Sequence, residues 1–281
     1  MVDSVRHYSI FLPPVKNRQS GGTQATEPLK MPVVILLHGA LSRPWCVDFD
    51  SEMRRYAKRQ GFIVVYPCGT SAGKSGLLFW NAGGCCGPAH EHKVDDVEFI
   101  RRLLAEVKAS YSVDERRVYI AGASNGAMLA YRLGVELSDQ IAAIGSVDGC
   151  MWPIEKQPAS PVSVIEFHGT ADKVIPYRGG TGKWFFFKVK NVSSTAQTLA
   201  YWVAANRCQA APIRRDDIGV ERLLYQSGDR GSAVQLVSTK GGRHMWPGGR
   251  ASFLTDRKSY KVKCTEEMLD FFWRHPKRNA D

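Results

Sequence analysis

Short unbroken runs of apolar and β-branched residues alternate along this chain with longer segments whose apolar positions recur every three or four residues. PVVILLHG (32–39), GFIVVYP (61–67), RRVYIAG (116–122), IAAIGSV (141–147), VSVIEF (162–167) and SAVQLVS (232–238) are the runs. A strand covered on one face alternates apolar with polar, and a strand covered on both faces does not. These runs therefore predict strands of a parallel sheet. Between them, Phe49, Met53, Tyr56 and Ala57 share a helical face over 48–60, and Val97, Ile100, Leu104 and Val107 share one over 95–109. Residues 125–137 (NGAMLAYRLGVEL), 195–205 and 265–273 complete the predicted helices. RHYSIFLPP (6–14) alternates and stops at Pro13-Pro14, as an early strand ending in a turn does. Residues 15–30, with Gly21-Gly22, and residues 69–87, rich in Gly and Asn, predict loops.

Strand and helix patterns alternating in this way predict an α/β fold, a mostly parallel central sheet with helices on both faces. No repeat, low-complexity block or linker divides the chain, so residues 1–281 are expected to form a single catalytic domain. Hydrophobic residues are 44% of the 281, enough for a sizeable core, and 23% are charged, which excludes a disordered chain. No apolar run approaches the ~20 residues of a membrane span, and MVDSVRHYSI has no apolar signal core. The net charge is +11, yet Lys and Arg are scattered without a long basic run or nucleic-acid motif. A solvated basic surface is the expectation, not a nucleic-acid partner, and such a field favours anionic substrates or acidic polymers. The seven cysteines (46, 68, 85, 86, 150, 208 and 264) do not form two CxxC pairs. The cluster CCGPAHEH (85–92) is expected to be a disulfide or packed thiols rather than a metal site.

Gly-x-Ser-x-Gly occurs twice, in CGTSAGK (68–74) and in AGASNGA (121–127). The spacing marks a serine nucleophile only where a strand turns sharply into a helix. Ser124 lies between the strand RRVYIAG and the helix NGAMLAYRLG, with Gly122 and Gly126 leaving room for the turn. Ser71 also follows a strand, but glycines at 73, 76, 83 and 84 oppose a helix after it. Ser124 is the predicted nucleophile. Asp172, in HGTAD just past the strand VSVIEF, is the predicted acid, with Asp148 in SVDG as the alternative. Of seven histidines, His244 in KGGRHMWPGG follows the strand SAVQLVS on a glycine-rich loop and is the predicted base. His38 and His168 are expected to be hydrogen-bonding residues of turns. An oxyanion needs two N–H donors, expected from Asn125 and from Ala40 or Leu41 in the loop after LLHG. No cofactor or metal is needed by this chemistry.

LLHGA, GFIVVYP, WNAGGCCGPA, VDDVEFI, DERRVYIAGASNGAM, HGTADKVIPY and GGRHMWPGG together resemble the polyhydroxybutyrate depolymerase and feruloyl esterase group of α/β hydrolases, which includes acetyl-xylan esterase-like members. The resemblance runs from about residue 6 to residue 250. It implies an α/β-hydrolase fold, a cofactor-free serine carboxyl-ester hydrolase, and export. It places nucleophile, acid and base at Ser124, Asp172 and His244. Two departures stand out. Arg243 occupies the third place of what is often a triple glycine before the base. A cysteine frequent in the segment matching YQSGDRG (225–231) is missing, which leaves Cys208 without the partner the resemblance implies.

Trp80, Trp152, Trp184 and Trp246 are candidate walls of an acyl or aromatic pocket, and Arg243 a candidate contact for an anionic group. GKWFFFKVK (182–190) is expected to be a pocket-walling strand or flap, or ordinary core. The expected substrate is a small or oligomeric feruloyl, aromatic or short acyl ester. Depolymerisation of poly(3-hydroxybutyrate) or its oligomers is the alternative, with the solid polymer disfavoured because no binding module follows the catalytic region. A catalytically silent binding protein is the non-enzymatic alternative, and it has no need of three catalytic residue types.

Overall fold

The computed structural model describes residues 6–14, 29–71, 76–152, 156–184, 187–250 and 261–278. Its strands are β1 (Tyr8–Phe11), β2 (Met31–Leu37), β3 (Ile63–Pro67), β4 (Thr70–Ser71), β5 (Leu78–Phe79), β6 (Val113–Ala123), β7 (Ala143–Val147) and β8 (Ser163–Gly169), followed by β9 (Gly180–Trp184), β10 (Phe187–Val192), β11 (Ile213–Asp217), β12 (Val220–Tyr225) and β13 (Val234–Thr239). Nine of them form one sheet in the order β1-β3-β2-β6-β7-β8-β13-β12-β11. The pairings from β3 through β13 are parallel, while β1, β12 and β11 add antiparallel edges.

The missing alternation of the apolar runs has a direct cause. In β2, Val33, Ile35 and Leu37 enter one core while Val34 and Leu36 enter the other. In β6, Val118 and Ile120 divide from Tyr119 and Ala121 in the same way. The first core lies under α4 (Asp96–Ser110), α5 (Asn125–Glu136) and α6 (Thr195–Ala205). The second lies under α1 (Pro44–Ser51), α2 (Met53–Gln60) and the C-terminal helix Cys264–Arg274, while the short α3 (Gly87–Glu91) follows the β4–β5 pair. Each large apolar side chain so buried contributes roughly 1.5–3 kcal/mol. Phe272 of the C-terminal helix stacks on Tyr119 of β6, with ring centroids 4.7 Å apart. This is the α/β-hydrolase arrangement.

The structure departs from the expected pattern at three places. The helix expected over 48–60 is two helices, broken at Glu52, whose φ of 51° closes α1 and opens α2. The expected loop over 69–87 contains the short pair β4–β5, with Ser71 opposite Leu78. The edge strand β11 was not expected from the pattern, because all five of its residues (IRRDD) are exposed. Charged edge strands of this kind discourage sheet-to-sheet association.

Candidate active site

Ser124 follows β6 and caps α5 with φ 54° and ψ −121°, a backbone conformation that L residues rarely adopt. It is held from both sides: its N–H donates to the Val147 carbonyl of β7 at 2.8 Å, and its carbonyl accepts from Met128 of α5 at 3.0 Å. The flanking glycines are steric requirements. A Cβ at Gly122 would lie 2.5 Å from the Gly126 carbonyl carbon, and one at Gly126 would lie 2.5 Å from the carbonyl oxygens of Leu37 and His38. The sharp turn lifts the Ser124 hydroxyl off the sheet edge, in front of a helix whose first N–H groups have no intrahelical acceptor.

Asp172 and His244 meet across 72 residues. His244 Nδ1 donates to Asp172 Oδ2 at 2.7 Å. That bond fixes the tautomer and leaves Nε2 as the ring's acceptor. The other oxygen of Asp172 accepts from the N–H groups of Val174 at 2.7 Å and Ile175 at 3.0 Å. Burial alone would raise this carboxyl, but its bonds to His168 and His244 hold it well below the usual carboxylate range. Burial also opposes charge on His244, and the Asp172 bond and charge, with Asp148 behind them, outweigh it and raise the imidazole above its ordinary value. Asp148, the alternative acid, supports the same loops. Its oxygens accept from Gly169 N at 3.0 Å and from Met245 N, next to the base, at 2.6 Å. Burial pushes its carboxyl up to about 6, although His168 pulls against that.

Beneath the pair lies a buried polar cluster. His168 Nδ1 faces Glu166 Oε1 at 3.0 Å, and its Nε2 faces the Ile175 carbonyl at 2.9 Å and Asp172 Oδ2 at 3.4 Å. Both ring nitrogens confront acceptors, which calls for an imidazolium. Burial disfavours that charge, and the bonds to Asp172 and Glu166 with the charge of Asp148 raise His168 well above its ordinary value regardless. The Tyr131 hydroxyl donates to the second Glu166 oxygen at 2.9 Å. Donor atoms of Asp148, His168 and Asp172 lie within 4.8 Å of one another. Each already bonds within the protein, so the cluster supports the loops that carry Asp172 and His244.

The loop after β2 is fixed as firmly. A Cβ on Gly39 would sit 3.5 Å from that of Ser124. His38 Nδ1 donates to its neighbour's carbonyl at 2.8 Å, and its Nε2 accepts from Gly69 N at 3.0 Å. Both nitrogens are engaged and burial dominates, so this imidazole drops to about 4 and stays neutral. Trp80 Nε1 donates to the His38 carbonyl at 2.9 Å. The Asn125 side chain in turn brackets the Trp80 backbone, accepting from its N–H at 2.8 Å and donating to its carbonyl at 3.0 Å. Buried Asp96, paired with Arg6 at 2.7 Å, accepts from Asn81 N at 2.7 Å and anchors that segment. Sequence reasoning missed this frame. A buried acid on the apolar face of α4 was its available signal.

Ser124, Asn125, Ala40, Leu41 and His244 line one cavity of about 910 Å³. Three expectations need correction. The Leu41 N–H is taken up by the Leu78 carbonyl at 2.9 Å and is not a free donor. Trp80 is fully buried and belongs to the core and the frame, not to the cavity wall. Arg243 is exposed and is not among the cavity's lining residues. Trp152 and Trp246 do line the cavity, and Trp246 is tied through Nε1 to Thr265 at 2.9 Å. The Trp184 side chain lies outside the described residues. Cys85 and Cys86 form a disulfide with each other, and Cys208 is unpaired.

The Esterase PHB depolymerase family matches residues 7–176, more than half of the chain. The chain belongs to that family. Feruloyl esterase B of Piromyces equi is 29% identical over 222 residues, which are 76% of this chain and 39% of that protein. The putative esterase NocK of Nocardia uniformis subsp. tsuyamanensis is 28% identical over 264 residues, 85% of this chain and 73% of that one. This chain thus spans well under half of the first relative and about three quarters of the second. Among solved structures, the acetyl xylan esterase from Aspergillus awamori shares the fold with a TM-score of 0.63 at 14% identity, covering 95% of this chain and 93% of its own. Among the described residues no helix is long and apolar enough to cross a membrane.

Proposed function

We propose that this chain is a serine carboxyl-ester hydrolase that works through an acyl-enzyme on feruloyl, other aromatic or short acyl esters. The observation that carries the proposal is the 2.7 Å bond from His244 to Asp172 beside the cavity in which Ser124 sits on its elbow. His244 Nε2 takes the Ser124 proton as the hydroxyl attacks the ester carbonyl, and then gives it to the departing alkoxide. Asp172 remains ionised, keeps the base in the productive tautomer and stabilises the imidazolium. The N–H groups of Asn125 and Ala40 hold the oxyanion, each worth ~10²–10³ in rate. Water then repeats the route and releases the acid. The mostly apolar cavity, with Trp152 and Trp246, suits an aromatic or acyl group, as the likeness to a feruloyl esterase suggests.

Depolymerisation of 3-hydroxybutyrate oligomers is the second reading, favoured by the family's own description. Hydrolysis of a chromogenic butyrate ester tests the reaction, and no turnover by the folded chain would overturn it. Methyl ferulate against 3-hydroxybutyrate oligomers separates the two substrates, and a much higher kcat/KM on the oligomers would replace the aromatic reading. Export is part of the same proposal on the strength of the family resemblance, and cell fractionation tests it.

A further inference from the structure

The β9–β10 hairpin leaves the main sheet directly after the acid's loop. It is stitched there by the Lys183 N–H, which donates to the Lys173 carbonyl at 2.9 Å. Four consecutive residues of β10, Lys188 to Asn191, border the cavity that holds Ser124 and His244. The hairpin's register sets Lys188 directly opposite Lys183. Like charges at such a cross-strand pair destabilise a hairpin. Among the described residues no ion pair relieves them: the lysine pairs are Lys108–Glu115 and Lys263–Glu266, both elsewhere. Arg178, at the hairpin's start, makes no ion pair among the described residues either. The cavity's own acids are Asp50 on α1 and Asp148, and Asp148 is buried with its oxygens on Gly169 and Met245.

The remaining lining is largely apolar, from Val47, Phe79, Met128, Val147 and Ile175. An apolar chamber with one unneutralised cationic border is matched by a molecule of the same polarity, apolar around the ester and anionic at one end. We infer that Lys188 and Lys190 form an anion-binding border of this site, and that its preferred substrates are esters carrying a carboxylate away from the scissile carbonyl. The net charge of +11 adds a long-range field that draws such molecules in. The inference rests on the cavity's being the ester site.

Binding tests it without turnover. Methyl hydrogen terephthalate and the neutral methyl 4-acetylbenzoate would be titrated calorimetrically into the Ser124→Ala chain. The pair 4-acetoxybenzoate and methyl 4-acetoxybenzoate would follow, with the charge on the other side of the ester. The anionic member of at least one pair is expected to bind about five- to tenfold more tightly at low salt. That preference should shrink in 0.5 M salt, where the Debye length is roughly 4–5 Å. It should also disappear in Lys188→Gln/Lys190→Gln. Equal binding within both pairs overturns the inference, as does a preference that survives the lysine substitutions. Should the double variant misfold, the single variants Lys188→Gln and Lys190→Gln decide: a preference that neither reduces overturns the inference. Because no ester need be cleaved, failure here is separable from failure of the hydrolase reading, which the chromogenic assay addresses.

Discussion

Ser71 and Ser124 sit in the same five-residue pattern, and their backbones have nothing in common. Ser71 lies in β4, paired across a two-residue ladder with Leu78. Gly69 is small there because a Cβ would run into the Phe79 carbonyl of the partner strand, a packing need unconnected with a turn. Ser124 stands at φ 54° between a long buried strand and a buried helix, with Gly122 and Gly126 pressed against neighbouring backbone. The cavity that includes Ser124 does not include Ser71 among its lining residues. The spacing of glycines is thus a poor signal. A rigid strand-to-helix joint, whose strain the surrounding sheet can hold, is the informative one.

The contrast can be broken most forcefully at the hydroxyls. Ser124→Ala should lower kcat on a chromogenic butyrate ester by about 10⁴- to 10⁶-fold, whereas Ser71→Ala should stay within about twofold. Comparable losses from both would erase the distinction. Asp172→Asn should cost about 10⁴ in kcat, because the amide presents the wrong partner to His244 Nδ1. Asp148→Asn, which keeps an acceptor for Met245, should cost at least about tenfold less, and an inverted order would make Asp148 the acid. Gly126→Ala should lower unfolding stability by about 1–3 kcal/mol in denaturant melts, since its methyl meets the Leu37 and His38 carbonyls. A neutral result would mean the elbow is looser than described.

The smallest effect sharpens the electrostatics. The base works only when neutral, so kcat/KM should rise with pH through the His244 ionisation, at a midpoint above the ordinary 6.5. His168 lowers the proton affinity of His244 through its charge. His168→Gln removes that charge and should move the midpoint upward. A purely structural histidine would change amplitude and leave the midpoint in place.

Much of this arrangement was legible in the chain. Buried parallel strands announce themselves as unalternating apolar runs, and catalytic loops follow their C-terminal ends, so Ser124, Asp172 and His244 could be picked from position and residue type. What escaped depends on contacts remote in sequence. Trp80 has the composition of a pocket wall, but its ring packs against His38 and its indole N–H meets the His38 carbonyl, so it became part of the frame. The Leu41 amide resembled a free donor until β5 supplied Leu78 as its acceptor. Glu166 and His168 carried a readable hint, being polar residues two apart on one face of an otherwise apolar strand. Their partners, Tyr131 and Thr195, come from helices that only the fold brings there.

The most direct test of the central claim is covalent trapping. An organophosphate ester should inactivate the folded chain, and peptide mass spectrometry should find one phosphoryl group, on Ser124. His244→Ala should slow that labelling by orders of magnitude. A modification on Ser71 or elsewhere, or labelling of Ser124 at an unchanged rate without His244, would contradict the account.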